Sequence, residues 1–249
     1  MSARWGIIPA AGRGTRIQPL AFSKELLPVG TRLNGTSECP RAVSEYLIDR
    51  MLGAGANRIC FVISSAKTDI ISYFGGSIGG AAICYAVQQR PDGLCDSLFC
   101  ALPFIAPDDQ VYIGLPDTIW FPENGFQFLP DSQFSFLLFP VEQPELFDAV
   151  ITGEDSRVTE IRVKSRNAGT KWVWGAVKMM GRNFAELYQL WTQRNRKDEY
   201  LGTLVNAYLA RGGAVLGIKR GETYVDVGTL HGYREASRIL SRQVLHEAA

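Results

Sequence analysis

The stretch "GIIPAAGRGTRIQPLAFSKELLPVG", Gly6 to Gly30, decides how the rest of the chain is read. It opens with an apolar run, breaks into two glycines, adds Arg13 and Arg16, and returns to apolar residues after Lys24. That order describes a strand feeding a loop that meets something negative. Gly12 and Gly14 let the backbone approach a ligand closely and turn N–H groups toward phosphate oxygens. Arg13, Arg16 and Lys24 supply positive charge. The dinucleotide fingerprint GxGxxG is excluded because its third glycine is Ile17, and no GxxxxGK is present. The spacing by itself also fits a tight strand-to-loop turn with surface arginines.

Outward from this stretch, strand-like and helix-like segments alternate. "PRAVSEYLIDRMLGAGA" carries Val43, Leu47, Met51 and Ala54 at helical spacing, and the β-branched run "RICFVIS" follows it. "TDIISYFG" reads as helix, "AICYAVQ" as strand, "GLCDSLFCALPFI" as helix and "QVYIGL" as strand. Nearly continuous apolar strands separated by helices predict an α/β fold with a mostly parallel sheet and helices on both faces. In the second half, "FSFLLFP", "AVITGED", "RVTEIRVK" and "KWVWGAVKMM" are strands without long helices between them, so the sheet is expected to become mixed. Helices return at "RNFAELYQLWTQRN" and "YLGTLVNAYLARG", and a strand "ETYVDVG" precedes a last helix from about Leu230 to Leu245. With no linker and no repeat, residues 1–249 are expected to form one domain.

Bulk properties narrow the function. A formal charge of +1 gives no general attraction to nucleic acid or anionic lipid, so neither is an expected partner. Cys39, Cys60, Cys84, Cys95 and Cys100 form no CxxC, and with two histidines they offer no zinc spacing. They read as reduced thiols of a cytoplasmic protein. No leader pattern and no apolar run of about 18 residues suggest export or a membrane span.

In a parallel sheet the loops after the strand ends share one edge, where ligands bind. Besides Ala11–Arg16, two such loops carry acids. Asp117 in "IGLPDTIW" is placed to hold magnesium through oxygen, although Pro-Asp after a strand is also a common turn. Asp226 in "YVDVGT" ends another short strand, and the two acids could share one metal across the sheet.

"AAGRGTRIQPL…SKELLPVG" resembles the signature of the sugar-phosphate nucleotidyltransferases, which make nucleotide sugars, and especially the glucose-1-phosphate thymidylyltransferases. The likeness continues through "YAVQQRPDGLCDSL", the acid after "VYIGL", "RVTEIRVK", "AYLARGG" and "YVDVGTLHGYREA", in order along almost the whole chain. It implies a Rossmann-like, GT-A-like nucleotidyltransferase fold. It also implies a magnesium-dependent condensation of a nucleoside triphosphate, dTTP or UTP favoured, with a sugar 1-phosphate, giving a nucleotide-sugar and pyrophosphate. By position, Ala11, Gly12, Gly14, Thr15 and Arg16 would cradle the triphosphate, and Lys24 would contact phosphate beside the reacting centre. Gln88 would pair with the base edge, and Pro91, Asp92 and Gly93 would form the loop against the base. Asp117 and Asp226 would hold the metal, Lys164 would contact the sugar-linked phosphate, and Gly175 would line the sugar pocket. A homo-oligomer is compatible with the resemblance. The attacking phosphate is ionised at neutral pH and needs no general base, which suits a chain whose histidines are His231 and His246.

The departures fall mainly on the sugar side. Arg16 to Lys24 is two residues shorter than usual, Ser23 replaces a frequent proline, and "LPDTIW" stands where relatives have "GDN". Asp148 takes the place of a glycine, Val163 of a glutamate and Trp174 of a small polar residue. Losing one carboxylate, gaining another and adding an indole should reshape the pocket toward a modified sugar. Alternatively, Asp148 marks a surface turn after "PELF". Two other functions compete: a GT-A-type glycosyltransferase, which should carry Asp-x-Asp where Leu115-Pro116-Asp117 stands, and a catalytically silent nucleotide-sugar-binding relative, which should have lost Arg16, Lys24 or a metal acid. "TIWFPENGFQFLP" reads as packing, Trp172 and Trp174 as core or pocket wall, "QRNRK" as a solvated helix end, and His231 as a cap or packing residue.

Overall fold

The computed structural model describes residues 2–90 and 92–247, so Pro91, expected in the base loop, lies outside the described residues. The first half contains β1 (Arg4–Pro9), the hairpin β2 (Pro28–Asn34) and β3 (Ser37–Ala42), α1 (Val43–Gly53), β4 (Arg58–Ile63), α2 (Thr68–Phe74), β5 (Ser77–Ile78), β6 (Ala81–Val87), α3 (Leu94–Phe99), β7 (Gln110–Gly114) and β8 (Thr118–Phe121). The second half adds β9 (Ser135–Pro140), β10 (Asp148–Thr152), β11 (Val158–Val163), β12 (Trp172–Met180), α4 (Gly181–Gln193), α5 (Leu201–Leu209), β13 (Leu216–Ile218), β14 (Thr223–Asp226) and α6 (Leu230–Glu247).

The main sheet runs β11-β10-β12-β7-β1-β4-β6-β5, with β9 on β12 and β13 on β9. Its centre, β7-β1-β4-β6, is parallel throughout, and the strands around β12 are antiparallel, as the two halves of the sequence predict. Alternation along β1 feeds two cores. Ile7 joins a cluster with Leu98, Phe184 and Leu204 from α3, α4 and α5, while Ile8 joins one with Leu47, Met51 and Ile70 from α1 and α2. Helices therefore cover both faces. Burying side chains of this size contributes roughly 1.5–3 kcal/mol each.

Several strands depart from the sequence reading. The β2–β3 hairpin is mostly exposed and has no apolar alternation to mark it. β8, inside the aromatic run, pairs antiparallel with β14, and β13 extends the sheet beside β9. The helix expected over "GLCDSLFCALPFI" stops at Phe99, and a separate 3₁₀ turn spans Leu102–Phe104, where Pro103 lacks an N–H to continue the ladder.

The loop from Pro9 to Pro28 crosses the ligand edge and is pinned at its far end by charges. Ser23 donates through its N–H and Oγ to the Asp69 carboxylate at 2.6 and 2.7 Å. Glu25, wholly buried, accepts from Lys67 Nζ at 2.8 and 2.7 Å. Burial pushes the Glu25 carboxyl up and works against the charge on Lys67, and their mutual attraction opposes both effects. Replacing Glu25 by Gln leaves the Lys67 ammonium unmatched. We expect a loss of about 3 kcal/mol, read as a lower urea midpoint at unchanged m; a loss under about 1 kcal/mol would mean that the pair does not hold the loop.

Candidate active site

The opening loop, the end of β7 and the end of β14 converge. Thr118 stands opposite Asp226 across the β8–β14 ladder, and Val227 N–H donates to Asp117 O at 2.8 Å. Both carboxylates lean over Gly228, where a Cβ would sit 2.7 Å from Asp117 Oδ2 and 2.8 Å from Asp226 Oδ1. Gly228 N–H donates to Asp226 Oδ1 at 2.9 Å.

Each acid has its own cation. Lys24 Nζ lies 2.5 Å from Asp117 Oδ2, and Arg16 Nη1 lies 2.6 Å from Asp226 Oδ2. Burial opposes the charge of Asp117, yet Lys24 holds its carboxyl below the usual range. Burial likewise opposes the Lys24 ammonium, but Asp117 and then Glu25 hold it above the usual lysine value. Asp117 is 7% exposed, so the strand end that carries it is buried. Among the described residues no three His, Cys, Asp or Glu side chains group closely enough to hold a metal ion by themselves.

The glycine loop packs onto this cluster. Gly14 has φ +63° and would drive a Cβ to within 2.8 Å of Lys24 Cδ, so the chain itself requires glycine there. A Cβ on Gly12 meets nothing within 4 Å. Ala11 is buried, whereas Arg13, Thr15 and Arg16 are exposed.

At the end of β6, Gln88 is buried and its Nε2 donates to Asp96 Oδ2 at 2.7 Å. Asp92 is exposed, and Gly93 has φ +100° and sits against Glu199, whose carbonyl accepts from Leu94 and Cys95 N–H at 2.8 and 3.2 Å. Asp148 is 9% exposed, which excludes the surface-turn reading. It stands opposite Val163 in the β10–β11 ladder, its Oδ2 accepts from Trp174 Nε1 at 3.3 Å, and Gly202 abuts it. Burial pushes its carboxyl up. The bulk of Trp174 goes into the core beside Phe136, and its indole N–H is what reaches Asp148. Lys164 has φ +43°, with Nζ 3.3 Å from Tyr200 Oη and over that ring. Gly175 is buried against Phe139 and Tyr224.

The residues singled out from the sequence thus form three neighbouring groups. Asp96, Tyr200, Tyr224 and the Glu25–Lys67 pair were not foreseen, because single charges and tyrosines without a motif carry no signal until the fold gives them partners. His231 is exposed, and Thr229 Oγ1 rather than His231 caps the last helix by accepting from Gly232 N–H at 3.0 Å. "QRNRK" is a mostly exposed helix end, with Arg194 paired to Asp198. A cleft of about 430 Å³ elsewhere, beside Arg32, Arg41, Glu45 and Asp49, pairs those charges internally and leaves none for a polyanion.

Residues 5–243 match the model of the family described as nucleotidyl transferase. A glucose-1-phosphate thymidylyltransferase of Neisseria meningitidis is 28% identical over 244 residues, covering 93% of this chain and 81% of the relative. A UTP–glucose-1-phosphate uridylyltransferase of Haloferax volcanii is 22% identical over 244 residues, covering 95% and 96%. The fold superposes on a UTP-bound UGPase from Acinetobacter baumannii with a TM-score of 0.74 at 17% identity, covering 98% of this chain and 99% of that one. With the glycine loop and both strand-end acids inside the matched span, the chain belongs to the nucleotidyl transferase family.

Proposed function

We propose that this chain, as a single domain, joins a nucleoside triphosphate, dTTP or UTP preferred, to a sugar 1-phosphate and releases pyrophosphate. The observation that carries the reading is the meeting of Arg16 and Lys24 with Asp117 and Asp226 beside the glycine loop. Names of relatives at 28% and 22% identity support the same class of substrates. The five free thiols fit a reducing compartment such as the cytoplasm, and no helix among the described residues is long and apolar enough to cross a membrane.

Two carboxylates leaning over one point fit magnesium, which takes one or two protein carboxylates and completes its shell with water and substrate phosphate. Asp117 and Asp226 would hold it, and bound there it supplies charge neutralisation on the phosphate oxygens. The rest falls to the chain's own groups. Both substrates are polyanions, so bringing them together is the main barrier. Arg16, with its side chain 61% exposed, can leave Asp226 for a phosphate oxygen without unpacking. Lys24, mostly buried and held charged, is a fixed positive point beside the reacting centre. Gly12, with open space around its Cα, admits phosphate against backbone N–H groups. Lys164 offers a cation to the sugar-linked phosphate, and Asp148 a carboxylate to the sugar. The attacking phosphate oxygen, already ionised, displaces pyrophosphate from the α-phosphorus without a general base.

Asp226→Asn removes one metal acid whose partner cation, Arg16, is exposed and stays solvated. Pyrophosphate release should fall roughly 100-fold or more while the melting curve is retained. Asp117→Asn should lose as much activity and also some stability, because Lys24 is left buried without its partner. Near-wild-type turnover in either variant would remove the metal assignment.

For the sugar, we propose a modified 1-phosphate, with an amino group or altered hydroxyls facing Asp148. Asp148→Gly should shift the preference toward glucose 1-phosphate. Specificity constants against glucose, amino-sugar and deoxy-sugar 1-phosphates decide it, and equal, efficient use of glucose 1-phosphate by both proteins would refute it.

A further inference from the structure

Gln88 directly follows β6, with its backbone N–H given to Ile63 O at 2.8 Å. Its side-chain Nε2 donates to Asp96 Oδ2 at 2.7 Å and to Gly93 O at 3.3 Å. A primary amide carries two N–H donors and one acceptor oxygen, so both donors are used. A carboxylate and a backbone carbonyl only accept, which prevents the amide from turning over: reversed, Oε1 would face two acceptors. Oε1 takes no hydrogen bond from the described residues and is not among the sealed, unpaired side-chain atoms. The resemblance pairs Gln88 with the base edge, where a free amide could offer both a donor and an acceptor. The structure leaves it the acceptor alone.

We infer that Asp96 is a positioning residue: by holding the Gln88 amide in one sense, it selects a pyrimidine that presents a ring N–H, the imide of uracil or thymine, and rejects cytosine, whose N3 is a bare acceptor. The inference rests on the function proposed above, with Gln88 at the base edge. Gly93 completes the device, since its backbone at φ +100° turns the carbonyl onto the second amide proton. Guanine also carries a ring N–H, so the discrimination is read within pyrimidines, where ring size is constant.

The test is calorimetric binding of UTP, dTTP and CTP with magnesium, which needs no knowledge of the sugar. Wild type should bind UTP and dTTP well above CTP. In Asp96→Asn the new side chain both donates and accepts, so only the longer contact to Gly93 O still opposes the reversed Gln88 amide, and the UTP-to-CTP affinity ratio should fall, roughly tenfold at most. Asp96→Glu keeps an acceptor-only partner and should restore the ratio. A purely structural Asp96 would weaken all three nucleotides alike and leave the ratio unchanged. If Asp96→Asn does not fold, Asp96→Ser, smaller and uncharged, carries the same readout. A ratio unchanged within twofold in a folded variant overturns the role of Asp96 while leaving the proposed function in place. Wild type binding CTP as well as UTP overturns the acceptor sense of Gln88, and binding of no nucleoside triphosphate overturns both this inference and the function on which it rests.

Discussion

The β8–β14 ladder sets Asp117 and Asp226 on adjacent strand ends, and the repulsion between them is the constraint on which the site depends. Like charges about 4 Å apart cost on the order of 4 kcal/mol in the effective dielectric near a protein surface. Lys24 and Arg16 offset that cost, and both come from the opening loop, Arg16 from 210 residues before its partner. The acids are therefore tolerable only when the loop is in place. In the proposed function a triphosphate with its cation would replace the same balance of charge, so an arrangement that stabilises the free chain is also one from which the substrates would take over.

That dependence explains the charges beneath the loop. Lys24 is flanked by Ser23, tied to Asp69, and by Glu25, tied to Lys67. The residues on either side of Lys24 are thus fixed to α2 or to the residue just before it. At Ser23 two hydrogen bonds to the Asp69 carboxylate fix the backbone. The spacing between Arg16 and Lys24 lets both cations reach their acids.

Legibility in the sequence followed burial. β4 is almost wholly buried and reads as a continuous apolar run, and the parallel centre of the sheet is apparent from such runs. The β2–β3 hairpin is exposed and polar, so neither period 2 nor an apolar run betrays it. β8 hides among aromatics because Trp120 packs in the core beside Phe126 of the following 3₁₀ turn, and its strand is defined only by its partner β14. The glycine loop, Lys24 and the two acids stand out because motif and strand-end position coincide. Asp96 does not: it is one acid in a short helix, and its meaning appears only when the turn at Gly93 brings it back to Gln88, eight residues earlier.

On both the proposed base side and the proposed sugar side, a carboxylate holds a neighbouring N–H donor: Asp96 holds the Gln88 amide and Asp148 the Trp174 indole. The two pairs share a wall. Glu199 O accepts the N–H groups that follow Gly93, Tyr200 Oη lies beside Lys164, and Gly202 abuts Asp148, all within four consecutive residues. A Cβ on Gly93 would meet the Glu199 backbone at 2.8 Å, and one on Gly202 would meet Asp148 Oδ2 at 2.9 Å, so neither contact has slack. Substituents placed against one rigid segment do not act independently. In the proposed function, changes at Gly202 on the sugar side would reach the base loop through Glu199, so the two specificities would be coupled by packing rather than set one at a time.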